Sequence, residues 1–131
     1  MNGFKVDALS RPGVLLLELS GALAADDMLR YSAEIADAIQ TLKGVPYCIF
    51  CDSRLQLPLS PEAAAVLSSA KEFSAAQPNF IGSAVLVSTS MVAMQHRRTS
   101  TEGHVMGTEL ISDDPAACWK HLRRLQTAHA Q

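Results

Sequence analysis

The sequence predicts a single α/β domain with a mixed, mainly parallel sheet and helices packed on it. Near the start, two apolar segments of strand length are joined by a tight turn. Further along, short apolar runs alternate with longer patterns of helical periodicity. The chain has 131 residues, 48% of them hydrophobic, which suits one domain (residues 1–131) with one core. The predicted order is β-β-α-β-α-β-α-β-α.

The first two strands are predicted to form an antiparallel hairpin. Phe4–Leu9 alternates apolar and polar side chains, which is typical of a half-buried strand near a sheet edge. Arg11-Pro12-Gly13 is a turn sequence, because proline presets one backbone angle and glycine accepts the positive φ that follows. Val14–Leu19 is apolar on both faces, as expected for a central strand. A connection this short favours antiparallel pairing.

The first helix is predicted to lie between Gly21, which ends the second strand, and Gly44, which ends the helix. Gly21-Ala22-Leu23 ends the second strand, and Asp26-Asp27 places negative charge where a helix begins. From Met28 to Leu42, apolar residues recur at helical spacing, so the helix is amphipathic and packs on the sheet. Lys43-Gly44 predicts its end, with the glycine as C-cap.

The segment that follows is the best candidate for a functional surface. Tyr47–Cys51 is a short apolar run and is predicted to be a buried central strand. Asp52–Leu59 is predicted to be a loop over the carboxyl ends of the strands, where parallel sheets carry their sites. The second helix then starts at Ser60 as N-cap, with Pro61 in its first position and Glu62 in its first turn.

The remaining elements complete the alternation. Ile81–Val87 is predicted to be a central strand, and Ser88-Thr89-Ser90 supplies a cap for a third helix over Met91–Glu102. Thr108–Ile111 is a short strand, and Pro115 opens the last helix. The second helix is predicted to face the sheet with Val66, Leu67, Ala70 and Phe73.

Composition excludes several classes of function. A formal net charge of −2 gives no electrostatic reason to expect nucleic acid or an anionic membrane. The longest strongly apolar run, Val14–Leu17, is far shorter than the ~20 residues of a spanning helix. No apolar secretory segment is visible at the start, and three cysteines without a paired framework favour a reducing compartment. We therefore expect a cytoplasmic protein.

Candidate chemical groups are few, and each has a structural explanation. Cys48 and Cys51 have C-x-x-C spacing, but strand positions three apart face opposite sides, so buried structural cysteines without metal are predicted. No nucleophile elbow or glycine-rich phosphate loop occurs, so neither catalysis nor a cofactor is predicted. The histidines are predicted to lie on solvated faces: His96, His104, His121 and His129.

The order of elements resembles that of the STAS domain (sulfate transporter and anti-sigma-factor antagonist), in its SpoIIAA-like branch. The resemblance extends from about Phe4 to Leu125. Its short features are Gly21-Ala22-Leu23, Tyr47–Asp52, Gly82–Ser88 and Asp114–Ala117. It implies a non-enzymatic regulatory module that binds another protein.

The chain departs from this family at the phosphorylated motif. Anti-sigma-factor antagonists carry Asp-Ser-Ser/Thr-Gly-Leu where the second helix starts, and a partner kinase phosphorylates a hydroxyl there. Here the junction is Leu59–Ala64, with Ser60 as its only hydroxyl and no glycine after it. Ser60 is thus the one phosphorylation candidate at this place, but an N-cap role is favoured. A domain without the usual phosphoswitch is predicted.

The leading hypothesis is protein binding through the junction before the second helix and the adjoining face of the third helix. The predicted surface consists of Asp52, Ser53, Arg54, Leu57, Ser60, Glu62, Ser90, Met94 and Arg97. A second hypothesis is a small-molecule or lipid-binding module whose apolar pocket is lined by Leu55–Leu59. An enzyme using Ser60 or a histidine ranks third. Self-association through the hairpin edge stays open.

Overall fold

A computed structural model describes residues 2–130 and contains a five-stranded mixed sheet whose strand order follows the chain. The strands are β1 (Gly3–Asp7), β2 (Val14–Gly21), β3 (Tyr47–Gln56), β4 (Phe80–Leu86) and β5 (Glu109–Ser112). The α-helices are α1 (Ala25–Thr41), α2 (Pro61–Ala75), α3 (Ser90–Glu102) and α4 (Pro115–Ala130). The α/β class and the central position of the third strand are confirmed. Within residues 2–130, none of the helices combines the length and apolarity needed to cross a bilayer.

The predicted hairpin is confirmed, and the other strand pairs are parallel. β1 pairs antiparallel with β2, and the pairs β2–β3, β3–β4 and β4–β5 are parallel. In the turn, the Val14 amide donates to the Arg11 carbonyl at 3.1 Å, and Gly13 has φ of +73°. Glycine adopts that angle without a Cβ clash, which explains its place in the turn.

The two faces of the sheet carry separate cores. Helices α1, α2 and α3 cover one face, where Leu15, Ile49 and Val85 lie in the larger apolar cluster. Helix α4 covers the other face. The smaller cluster there contains Val14, Cys48, Phe50, Ala84, Leu86, Cys118 and Leu122. Cys51 belongs to the larger cluster, so Cys48 and Cys51 face opposite sides of the sheet, as predicted.

The third strand is longer than predicted, which corrects the extent of the loop. β3 continues through Gln56, so most of the predicted loop Asp52–Leu59 is strand and the connection to α2 is residues 57–60. The reason is its partner: β2 runs to Gly21, and Ser20 pairs with Leu55. Backbone pairing with β2 thus extends the strand through polar residues that the apolar pattern alone assigns to a loop.

Three smaller predictions were also wrong. Helix α1 is capped by Leu42, and both Lys43 and Gly44 follow in the positive-φ region, so glycine is not the C-cap. Strand β1 ends before Leu9, because the Asp7 carboxylate accepts the Leu9 amide at 2.9 Å and turns the chain. Phe73 is partly exposed, since α2 faces the core with a narrower stripe. That stripe is Ala63, Leu67, Ala70 and Ser74.

Candidate functional site

The junction between β3 and α2 is organised by Ser60. Its Oγ atom accepts the backbone N–H of Ala63 at 3.2 Å, and Pro61 occupies the first helical position. This confirms the predicted N-cap, in which a hydroxyl satisfies one of the unpaired amides of the first turn. Glu62 follows on the exposed side of the helix.

Helix α3 is joined directly to this junction. The Gln95 side-chain amide accepts the Leu59 N–H at 2.8 Å and donates to the Leu59 carbonyl at 2.9 Å. Just before α3, the Ser88 hydroxyl donates to the Arg54 carbonyl at 2.6 Å. These contacts hold the start of α3 beside the end of β3, so the two predicted parts of the surface adjoin.

Four large apolar side chains near this junction are exposed, two at the end of β3 and just after it, and two in the first half of α3. Their exposed fractions are 71% for Leu55, 53% for Leu57, 62% for Met91 and 65% for Met94. We refer to these four residues as the apolar patch. Leu59, between them in sequence, is instead buried in the larger core. Exposed apolar side chains grouped at one place mark interaction surfaces more often than isolated ones do.

The predicted charged residues of β3, Asp52 and Arg54, lie beside Leu55 of the apolar patch but on the sheet face opposite α3. Alternation along β3 places Asp52 and Arg54 on the sheet face of Phe50, the face that carries α4. Arg54 Nη2 donates to Asp52 Oδ2 at 2.8 Å, and the hydrogen bonding from Arg54 lowers the pKa of Asp52. They line a shallow groove with Glu18 and Leu55. This pair is a neighbouring feature rather than part of the patch.

The other predicted residues divide between the patch and the interior. Ser90, Met94 and Arg97 line one groove at the start of α3. Ser53, in contrast, is almost completely buried and points towards α3. The predicted set therefore does not form one site. Asp52 and Arg54 form a pair on the other face of the sheet, and Ser53 belongs to an internal cluster. The other predicted residues lie at the junction and along α3.

That internal cluster is centred on His96, whose predicted exposure was wrong. His96 is 1% exposed. Its Nε2 atom lies 3.0 Å from Ser53 Oγ and 3.0 Å from Gln56 Oε1. His96 follows Val92 by four positions and therefore shares the inward face of α3. The four-residue spacing from Val92 could have indicated that His96 is buried. Its polar side chain instead led to the prediction of a solvated face.

A strand irregularity brings two β3 residues to the same imidazole. Ser53 and Gln56 are three apart and would face opposite sides of a regular strand. Pairing shifts between Glu18 and Ser20 of β2, so β3 contains one residue more than β2 over this stretch. The bulge turns both side chains towards His96. The Gln56 Nε2 atom is buried and has no hydrogen-bond partner among the described residues.

Lys71 of α2 approaches His96 from the other side. Its Nζ atom lies 3.1 Å from His96 Nδ1, 3.1 Å from the His96 carbonyl oxygen and 2.6 Å from Ser100 Oγ. Glu109 Oε1 of β5 is 3.8 Å away. Three acceptors and a nearby carboxylate suit an ammonium ion, which has three donors. Because Nδ1 then accepts, we assign the His96 proton to Nε2.

From Lys71 and His96, polar contacts continue to residues of β4 and β5 in one direction and of α1 in the other. Glu109 accepts hydrogen bonds from Ser100 and from Ser83, the latter at 3.0 Å. In the opposite direction, Cys51 Sγ lies 3.4 Å from Ser53 Oγ and 3.8 Å from the Tyr31 hydroxyl. We call the whole set the buried polar network. Its members are Tyr31, Cys51, Ser53, Gln56, Lys71, Ser83, His96, Ser100 and Glu109.

Burial dominates the electrostatics of this network. It lowers the pKa of Lys71, an effect opposed by the Glu109 carboxylate. Burial, and then the Lys71 charge, lowers the pKa of His96 well below its ordinary value. Burial also raises the pKa values of Cys51 and Tyr31. The network thus combines a neutral imidazole with an ion pair of Lys71 and Glu109.

A cavity of about 40 Å³ lies beneath α2, against the network. Its polar lining includes Tyr31, Cys51, Lys71 and Glu109, and its other walls are largely apolar. This volume can hold about three water molecules and is far below that of a typical ligand pocket. Its geometry gives no support to an apolar ligand of ordinary size.

The network is also poorly arranged for hydrolysis. Ser53 and His96 are within hydrogen-bond distance, as in a nucleophile–base pair. However, with Lys71 donating to Nδ1, the Nε2 atom holds the proton and cannot accept one from Ser53. Among residues 2–130, no three or more His, Cys, Asp or Glu side chains are grouped to hold a metal ion. The hydrogen bonds of His96 connect α3 to Lys71 of α2 and to Ser53 and Gln56 of β3.

No protein-family model matches the sequence, and no curated protein is similar to it. The resemblance to the STAS family accordingly remains a prediction based on the order of elements and on short sequence features.

Proposed function

We propose that this chain is a non-enzymatic regulatory module of STAS-like type that binds another protein through the apolar patch. The observation that carries the proposal is the exposure of Leu55, Leu57, Met91 and Met94, each more than half accessible, around one junction. Burying such side chains against a partner is favourable by about 25 cal/mol for each Å² of apolar area. The resemblance implies binding at the same end of the domain.

The rim of the patch supplies polar groups for orientation. Ser60 and Glu62 lie at the start of α2, and Arg97 lies on the exposed side of α3. An apolar centre with a polar rim is the usual anatomy of a protein interface. A partner that matches it would present an apolar face with charged groups at its edge.

Binding in this proposal does not depend on phosphorylation of Ser60. The Ser60 hydroxyl already accepts a backbone amide of α2, and Pro61 follows it directly. The module would therefore be regulated by the availability of its partner, or by a change in α3, rather than by the phosphoswitch of the family.

The residues predicted to line a small-molecule pocket do not form one. Leu55 and Leu57 face solvent, and Leu59 packs in the core, so Leu55–Leu59 does not enclose a pocket. The internal cavity is lined by other residues and measures only about 40 Å³. Protein binding is the function that the geometry supports best.

Affinity capture from the native host tests the proposal with two matched variants. The patch variant is Leu57→Asp, Glu62→Lys, and the control is Leu29→Asp, Glu34→Lys on the exposed side of α1. Wild type and control should capture the same protein, and the patch variant should lose it by tenfold or more. Thermal melting verifies that both variants are folded.

Two outcomes would contradict the proposal. Equal capture by wild type and the patch variant would remove the junction as the binding surface. A small apolar molecule that co-purifies with wild type, without any protein partner, would restore the second hypothesis from the sequence.

A further inference from the structure

Helix α3 is held to the domain by an unusually polar inner face. Its buried apolar residues are Val92 and Ala93, both small, whereas His96, Thr99 and Ser100 are buried and polar. Water can replace hydrogen bonds but cannot replace apolar contacts, so such a helix opens at lower cost than an apolar one. α3 also carries half of the apolar patch.

His96 connects α3 to both of its neighbours. Nε2 contacts Ser53 and Gln56 of β3, and Nδ1 accepts from Lys71 of α2. Loss of these contacts would still leave polar attachments at both ends of α3. Gln95 would remain bonded to Leu59. Ser100 would remain bonded to Lys71 and Glu109, and Glu102 to Ser68. The imidazole is thus the centre of the attachment.

The groups that face His96 provide no hydrogen-bond acceptor for a second ring proton. Lys71 presents its ammonium to Nδ1 from α2, and Glu109 of β5 lies on the far side of Lys71. Cys51 of β3 lies behind Ser53, and Tyr31 of α1 lies beyond Cys51. Burial raises the pKa values of Cys51 and Tyr31, so both are neutral near neutral pH. A proton on Nδ1 would therefore meet a cation and no free acceptor.

We propose that His96 makes α3 an acid-sensitive latch, which opens when its imidazole takes up a proton and separates from Lys71, Ser53 and Gln56. Opening would also move Met91 and Met94, the half of the apolar patch that α3 carries. The consequence for partner binding rests on the proposed function, but the latch itself does not.

The direction of the pH dependence follows from linkage. Burial depresses the pKa of His96 in the closed state below 6.5, the value it regains when exposed. The open state therefore binds a proton below about pH 6.5, where the closed state does not. The closed state is fully favoured above that pH, and the opening constant rises up to about tenfold per pH unit below it.

Hydrogen exchange of the isolated protein tests the latch. Peptides from α3 and α1 are followed by mass spectrometry at about pH 7.5, 6.5 and 5.5, within the range where an ordinary imidazole titrates. After correction for intrinsic exchange rates, the opening constant of α3 should rise about fivefold between the two lower values. The opening constant of α1 should change much less.

Two variants separate His96 from the other histidines. His96→Gln keeps a donor and an acceptor but does not titrate, so its α3 opening constant should be independent of pH even if it is raised throughout. His104→Gln alters an exposed histidine just after α3 and should keep the wild-type slope. A flat profile in wild type, or an unchanged slope in His96→Gln, would overturn the proposal.

Because no partner is present in this experiment, its failure is distinct from failure of the proposed function. A flat exchange profile would leave patch-dependent capture intact. Loss of the patch hypothesis would likewise leave the acid response of α3 unchanged.

Discussion

The Nζ atom of Lys71 lies 3.1 Å from Nδ1 of His96, inside the domain and between two helices. This contact assigns the imidazole proton to the opposite nitrogen, where Ser53 and Gln56 accept it. It also places a positive charge where His96 would otherwise be protonated. Lys71 therefore helps to position α3, and burial together with the lysine charge lowers the pKa of His96 so that its imidazole is neutral.

Replacing Lys71 with methionine should destabilise the domain strongly. The variant leaves the Glu109 carboxylate, whose side chain is 3% exposed, without its cation. Breaking a buried ion pair in this way costs about 3–5 kcal/mol. Urea denaturation measures the loss in the free energy of unfolding.

The double variant Lys71→Met, Glu109→Gln is the control for this prediction. It removes both charges, so we expect it to be more stable than Lys71→Met alone. A loss of less than about 1 kcal/mol for Lys71→Met would show that the ion pair does not stabilise the domain as proposed. Additive losses for the two substitutions would show the same, because interacting residues give non-additive changes in unfolding free energy.

Substitution of Gly103 should show how closely α3 approaches α2. A Cβ atom at Gly103 would lie 2.8 Å from the Ser68 carbonyl oxygen and 3.0 Å from Lys71 Cβ. Its φ of −86° suits any residue, so backbone strain does not contribute. We expect Gly103→Ala to lose about 1–3 kcal/mol by overpacking.

Gly107→Ala is the matched control, because no heavy atom lies within 4 Å of the added methyl group. Its unfolding free energy should stay close to that of wild type. The unfolding free energies of both variants are measured by urea denaturation. Similar values would show that the structure accommodates a methyl group at Gly103, which would contradict the prediction.

Alkaline pH should destabilise the domain through its buried thiols. Burial raises the pKa of Cys48 to about 11 and that of Cys118 to about 11, from 9.0. The unfolded thiols ionise first, so stability is complete below about pH 9 and falls as pH rises towards 11. Cys48→Ala should show a shallower fall in unfolding free energy over this range, and an identical slope would contradict the assignment.

The cysteine pair should hold no zinc, because Cys48 and Cys51 face opposite sides of the sheet. Elemental analysis of the purified protein tests this, and about one zinc per chain would refute it. The variant Cys48→Ala, Cys51→Ala should lose about 1–2 kcal/mol of stability through the cavities it leaves. Partner capture through the apolar patch should persist.

Much of the fold could be predicted because it follows from local rules. Apolar periodicity identified the strands and helices, and Gly13 identified the hairpin turn. Ser60 could be predicted as an N-cap, because its hydroxyl bonds an amide only three residues away. The opposite orientations of Cys48 and Cys51 follow from the pleat of one strand.

The candidate site was only partly predictable, because its decisive features depend on other elements. The length of β3 and its bulge depend on pairing with β2, which brings both Ser53 and Gln56 to α3. Whether His96 is solvated or buried depends on partners from α2 and β3, since a polar side chain tolerates burial only when other groups complete its hydrogen bonds. The sequence by itself determined the order of the elements and the N-cap of α2. Tertiary structure decided which polar residues went inside, because their burial is stabilised by residues distant in the chain.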